Sequence, residues 1–167
     1  MSSTDPFQNL YQRPGFLLRR AHRISVAIFE KTCAELNLTP AQYGVLYTLH
    51  HAAGIDQSSL SRALGLDRVT ILRVAKGLEG RGLITRRTGT PGRRLALALT
   101  AAGEALLAQA QPLATHAVER LEAPLDAADR ATLTRLLNQL CDSLEADARA
   151  EMVAPTPPTP APHDTAT

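Results

Sequence analysis

Gln57-Ser-Ser-Leu-Ser-Arg-Ala-Leu-Gly65-Leu-Asp67-Arg-Val-Thr-Ile-Leu-Arg-Val-Ala-Lys-Gly-Leu78 is the stretch from which the fold can be read. Asp56 can cap a helix over 57–64, and Asp67 can cap a second over 68–78, since a carboxylate there accepts the free N–H groups of a first turn. Gly65-Leu66 leaves room for only a tight turn between them. Two short helices joined by a glycine-containing turn make a helix-turn-helix. Many helical domains contain such a corner, so its neighbours must decide what it is.

Downstream, Leu83-Ile-Thr-Arg-Arg-Thr and Arg93-Arg-Leu-Ala-Leu-Ala-Leu-Thr read as short strands with Thr90-Pro91-Gly92 as the turn. Leu95, Leu97 and Leu99 alternate with Arg94, Ala96 and Ala98, the period of a half-buried strand. A helix-turn-helix followed directly by a β-hairpin is a winged helix. Upstream, Thr39-Pro40 supplies a cap and a first-turn proline for a helix over 40–51. Its faces carry Val45 and Leu49 on one side and Tyr43, Leu46, Tyr47 and His50 on the other, so burial on both sides is expected. Before it, Leu17, Ala21, Ile24 and Ile28 form one apolar stripe on a helix over 15–37. Two long helices close the chain, over 101–121 and 126–147. Pro112 predicts a kink or break in the first. Leu133, Leu136, Leu137, Leu140 and Leu144 line one face of the second. The fold class is therefore mainly α, a winged helix-turn-helix over 38–100 flanked by helical segments. Residues 1–14 read as a flexible arm. Five prolines in the nine residues from Ala154 exclude a regular helix, so 152–167 read as a disordered tail.

Charge supplies a second line of inference. The net charge of +2 over 167 residues is unevenly spread. Residues 61–103 hold nine arginines and lysines against Asp67 and Glu79, a net of +7, whereas 104–167 carry a net of −6. A basic block between neutral and acidic segments is the footprint of a polyanion partner, usually nucleic acid. A solvated basic face is the competing reading. With 44% apolar and 20% charged residues the composition is that of a soluble globular chain. No apolar run is long enough to span a bilayer, and the first residues lack a secretory core. Cys33 and Cys141 stand far apart with no zinc spacing, which fits a reducing, cytoplasmic setting and no metal or cofactor. None of the five histidines sits in a metalloprotease spacing, and no GxSxG or phosphate-cradling loop is present, so an enzyme is not expected. A helical interaction module would leave the basic block unexplained.

Leu38-Thr-Pro-Ala-Gln-Tyr-Gly-Val-Leu, the helix-turn-helix stretch, Leu78-Glu-Gly-Arg-Gly-Leu-Ile-Thr-Arg-Arg, Arg93-Arg and Leu99-Thr-Ala-Ala-Gly-Glu-Ala-Leu occur here in one order. Together they resemble the MarR family of bacterial transcription regulators, strongly over 38–107 and more weakly over 15–37 and 108–148. The resemblance implies a homodimer whose first and last helices intertwine (15–37 and 101–148 here). It also implies a pseudo-palindromic operator, repression, and in many members release by a small phenolic or carboxylate ligand. One departure is Gly92, where the family's wing commonly carries an aspartate.

The resemblance places the helix over 68–78 in the major groove. Arg68 and Thr70 in its first turn and Arg73 beyond are equipped to read base edges. Ser58, Ser59 and Ser61 are expected at phosphates. Arg93 and Arg94 are expected in or beside the minor groove, and Arg86 and Arg87 at phosphates. For the effector, an arginine bordering an apolar stripe suits a carboxylate, which singles out Arg20 and Arg23. Tyr43, Tyr47, His50 and His51 would wall a flat aromatic ligand, although ion pairing and ordinary core packing explain the same residues. A third reading makes Cys33, near Lys31, a redox sensor.

Overall fold

In the computed structural model, which describes residues 6–87, 96–148 and 152–155, the chain order is mainly helical with one small hairpin. A short helix α1, Pro6–Tyr11, precedes α2, Pro14–Thr32. Helix α3 spans Pro40–His51, α4 Gln57–Leu64 and α5 Arg68–Gly80. Strands β1, Ile84–Arg87, and β2, Ala96–Leu99, follow, then α6, Ala101–Glu122, and α7, Ala127–Leu144.

Helix starts are dictated locally. Thr39 accepts from the Gln42 N–H while the Gln42 side chain accepts from the Thr39 N–H, a complete capping box at α3. Asp56, Asp67, Thr100 and Asp126 accept first-turn N–H groups of α4, α5, α6 and α7. Gly65 ends α4 at φ +59°, a conformation that side-chain-bearing residues adopt only under strain. The strands pair antiparallel, Ile84 opposite Leu99 and Arg87 opposite Ala96. The chain at 54–56 pairs with the other edge of β2: Leu97 N–H donates to the Ile55 carbonyl and Gly54 N–H to the Leu97 carbonyl. The hairpin base is thus tied to the α3–α4 loop.

The core lies inside the winged helix. Val45, Leu46 and Leu49 of α3 meet Leu60 of α4, Ile71 and Leu78 of α5, Leu97 of β2 and Leu107 of α6, all fully buried. α3 is buried along Val45, Leu46, Thr48 and Leu49, but Tyr47 and His50 remain exposed, so its second face is only partly covered. At the joint, Thr100 N–H donates to the Leu83 carbonyl, and its hydroxyl donates to the Gly82 carbonyl at 2.7 Å, with the Leu83 oxygen 3.1 Å away. A Cβ on Gly103 would lie 2.1 Å from that same oxygen. Glycine is required at 103 by close approach, not by backbone angle.

Outside the core the picture changes. Neither α2 nor α7 has a buried residue. Leu133, Leu136, Leu137, Leu140 and Leu144 are all exposed on α7, as are Leu17, Leu18 and Ile24 on α2. These stripes face outward from a single chain.

Four sequence expectations are revised. The arm contains α1, because Phe7 and Tyr11 stack one helical turn apart and Tyr11 packs on Phe16. The helix read over 15–37 ends at Thr32, and a tight turn over Ala34–Leu36 follows. Arg81 holds that turn by donating to the Leu36 and Asn37 carbonyls, with Asn37 left-handed at φ 47°. Pro112 does not break α6. It costs one N–H donor to Ala108, and flanking turns, with Ala110, Ala114 and Ala117 buried, carry the helix through. Residues 152–155, the start of the expected tail, form no helix or strand and lie beside α4, where Val153 N–H donates to the Arg62 carbonyl. The rest of the tail, from 156, lies outside the described residues.

Gly103→Ala is expected to lower stability by roughly 3 kcal/mol, the range for overpacking a tight contact. A denaturant titration reads it, and an unchanged midpoint would show that α6 shifts freely away from Leu83.

Candidate nucleic-acid interface

Helix α5 has two unlike faces. Ile71, Ala75 and Leu78 are fully buried. Opposite them, Arg68, Val69, Leu72, Arg73 and Lys76 are exposed, Val69 at 76%. Val69, Arg73 and Lys76 recur at i, i+4 and i+7 along the centre of the outer face. Three cations beside two apolar side chains suit a DNA groove, where arginine bonds guanine and apolar groups meet thymine methyls.

The start of this face is fixed by Asp67. Its carboxylate accepts from the Thr70 N–H and from Thr70 Oγ1, both at 2.8 Å. These bonds, the backbone one first, hold the Asp67 carboxyl below the usual carboxylate range. The Thr70 hydroxyl proton is therefore committed to the cap, and only its oxygen is left to accept.

The serines of α4 separate. Ser58 and Ser59 are partly exposed at the helix start. Ser61 is buried, and its Oγ donates to the Leu66 carbonyl across the turn. Ser61 therefore stands corrected: its hydroxyl is buried and clamps the turn. Sequence spacing already placed it three residues from Ser58 and one from buried Leu60, but only the packed turn revealed its partner.

The arginines separate too. Arg86 donates from Nε to Glu79 at 3.0 Å, fastening β1 to α5. Arg81 is spent on the Leu36 and Asn37 carbonyls. Arg62 is exposed on α4 beside Ser59. The backbone of Arg87 lies in β1, while its side chain and the whole of Arg93 and Arg94 lie outside the described residues. Val69 and Lys76 were missed in the sequence. Their signal was an apolar and a basic residue lying off the Ile71–Ala75–Leu78 stripe.

The expected effector residues come together only in part. Rings of Phe29, Tyr43, Tyr47 and His51 form a row, with neighbouring centroids 5.5, 5.9 and 4.6 Å apart. Burial raises the Tyr43 hydroxyl above the ordinary tyrosine range, with Tyr47 and Cys33 adding to it. His50 meets the end of this row edge-on, its ring centroid 4.8 Å from that of His51, and its Nδ1 lies 2.7 Å from Glu104 Oε2 on α6. Arg20 and Arg23 are exposed on α2. A separate cavity of about 390 Å³ lies between α2 and α3, with His22, Val26, Glu30, Pro40 and Gly44 in its wall. None of the six residues singled out for the effector lines it.

Cys33 is fully buried, and burial pushes its thiol upward, the opposite of an activated thiolate. Cys141 is exposed on α7. Among the described residues no group of three His, Cys, Asp or Glu is placed to hold a metal, and no helix is long and apolar enough to cross a membrane.

Comparison with known proteins bears on this geometry. The family model described as the MarR family matches residues 38–95. The chain is 35% identical to the transcriptional regulatory protein for the hcr operon of Thauera aromatica, over 75% of this chain and 77% of that one. It resembles the transcriptional repressor CouR bound to a 23-mer DNA duplex, with TM-score 0.73 and 34% identity over 83% of this chain and 99% of that one. It also resembles Bordetella bronchiseptica BpsR, whose DNA binding is regulated by 6-hydroxynicotinic acid, with TM-score 0.74 and 30% identity over 79% and 96% of the two chains.

Ser61→Ala is expected to cost about 1 kcal/mol of stability, the worth of one intramolecular hydrogen bond, while leaving DNA affinity unchanged. Chemical denaturation and a binding titration on one preparation test both halves. A large affinity loss at full stability would return Ser61 to the interface.

Proposed function

Because the chain belongs to the MarR family of transcription regulators, we propose that it is a homodimeric repressor released from a pseudo-palindromic operator by a small anionic aromatic ligand. The observation that carries the DNA half is the outer face of α5, with Arg68, Val69, Leu72, Arg73 and Lys76 exposed above a buried stripe. Arg73, Lys76 and Arg68 enter the major groove with Val69 against it, and Thr70 contributes its hydroxyl oxygen. Ser58, Ser59 and Arg62 meet phosphates across α4, and Arg87, Arg93 and Arg94 carry the wing's charge. Arg86 serves β1 and α5 rather than DNA.

The dimer follows from unpartnered surface. Five leucines along one face of α7, with Leu17 and Ile24 of α2, are exposed in the single chain. Burying one such side chain is worth about 1.5–3 kcal/mol. A second copy covers these stripes and sets two α5 helices about 34 Å apart or a multiple of that, the spacing of half-sites on one face of a duplex.

The ligand is read from the row of Tyr43, Tyr47 and His51, with Arg20 or Arg23 as carboxylate partner. Such a site joins α2, on the dimer side, to α3 of the winged helix, so occupancy alters how the two halves sit. BpsR, regulated by 6-hydroxynicotinic acid, supports this class of ligand.

Arg73→Ala should weaken binding to DNA from upstream of the chain's own coding region by roughly tenfold, the scale of one bidentate base contact, and alter sequence preference. Arg94→Ala should also weaken binding and flatten the salt dependence by about one unit, whereas Arg86→Ala should act through stability. Anisotropy titrations at two salt concentrations separate these cases, and equal affinity of Arg73→Ala and parent would overturn the assignment of α5. A calorimetric panel of benzoates, cinnamates and pyridine carboxylates tests the ligand. Binding that survives in Arg20→Ala and Arg23→Ala alike would move the site elsewhere.

A further inference from the structure

Residues 152–155 form a contact that neither the dimer nor the DNA face requires. Val153 N–H donates to the Arg62 carbonyl at 3.1 Å. That carbonyl belongs to the last turn of α4, where helix oxygens lack intrahelical donors, and among the described residues it also receives the Gly65 N–H at 3.3 Å. The Met152 sulfur lies 3.9 Å from where a Cβ on Gly65 would stand, directly over the turn between α4 and α5. The Met152 N–H is itself held by the Glu145 carboxylate, just beyond α7. From there 153–155 run toward the 52–55 loop. They enclose with Ser59 and Arg62 a cavity of about 320 Å³. The segment therefore ties the end of α7 to the outer side of α4.

That side of α4 matters for a physical reason. In a helix-turn-helix the first helix crosses the DNA backbone. Ser59 and Arg62 lie one turn apart, both accessible, on the side where the segment lies. A phosphate approaching them meets 152–155 already in place.

We propose that residues 152–155 are an autoinhibitory strap, docked on α4 and competing with the DNA backbone for its Ser59–Arg62 side. This rests on the DNA reading above. The strap is held to α4 by one backbone bond, with Met152 and Val153 still exposed, so it is readily displaced. A DNA-binding protein whose competent state is only a fraction of the population binds with affinity reduced by that fraction.

The test uses the full chain. Val153→Pro removes the donor to Arg62, and Met152→Ser removes the thioether beside Gly65. The double variant and the parent are titrated with a labelled duplex of about 30 base pairs, roughly three helical turns, at about 50 mM salt, where backbone contacts dominate. Affinity tighter by about fivefold is expected, corresponding to a strap closed in about four molecules of five. In parallel, a nitroxide on Ala154→Cys in a Cys141→Ser background should broaden α4 amides and cease to do so when the duplex is added. Equal or weaker affinity of the double variant overturns the competition, as does a label that leaves α4 amides sharp. If neither chain binds the duplex while the label still broadens α4, the DNA reading has failed and the competition with it. If the parent binds and the variant binds no tighter, the strap alone has failed.

Discussion

The carbonyl oxygen of Leu83 is the point on which the parts of this structure converge. It accepts from the Thr100 N–H, beside the Gly82 carbonyl that takes the Thr100 hydroxyl at 2.7 Å, and Gly103 passes close enough to exclude any side chain. Leu83 itself donates its N–H to Leu78 at the end of α5. The two peptide groups flanking Leu83 thus join α5, the hairpin base and the first turn of α6. The helix that would read DNA is therefore mechanically continuous with the helix that leaves for the outer, unburied part of the chain.

Around this joint, charge is sorted by use. The basic block of 61–103 looks uniform in sequence, yet Arg81 closes the turn before α3 and Arg86 pairs with Glu79. Arg68, Arg73 and Lys76 remain on the open face of α5. The two structural arginines hold α5 against its neighbours, and the free cations are presented because of them. A fixed helix face loses little backbone freedom on binding, which favours affinity. His50 and Glu104 form a further tie, between α3 and α6, so the winged helix is fastened to α6 by polar as well as apolar contacts.

Much of this was legible from residue patterns. Caps at Thr39, Asp56, Asp67, Thr100 and Asp126 are short-range devices, so α3 to α7 start where their N-cap residues place them. The Leu97 alternation located β2, and the uneven charge pointed to α5. Misreadings came where a distant partner decides the outcome. Ser61 was given to phosphate because its partner, the Leu66 carbonyl, exists only once the turn has closed. The helix over 15–37 was drawn too long because Arg81, forty-four positions from Asn37, stabilises the turn that ends it. Val69 was overlooked because an exposed apolar residue has no meaning until the buried face of its helix is known.

Local chemistry in the chain was enough to set the helix starts, the hairpin, the helix-turn-helix and the sign of its ligand, since each depends on residues within a turn or two of one another. Tertiary structure alone assigned each arginine to scaffold or open face and made Gly103 indispensable. It also left the α7 leucines uncovered and laid 152–155 across α4. Those outcomes depend on which surfaces meet through space, and a one-dimensional pattern of residue types carries no record of distance between residues far apart in the chain.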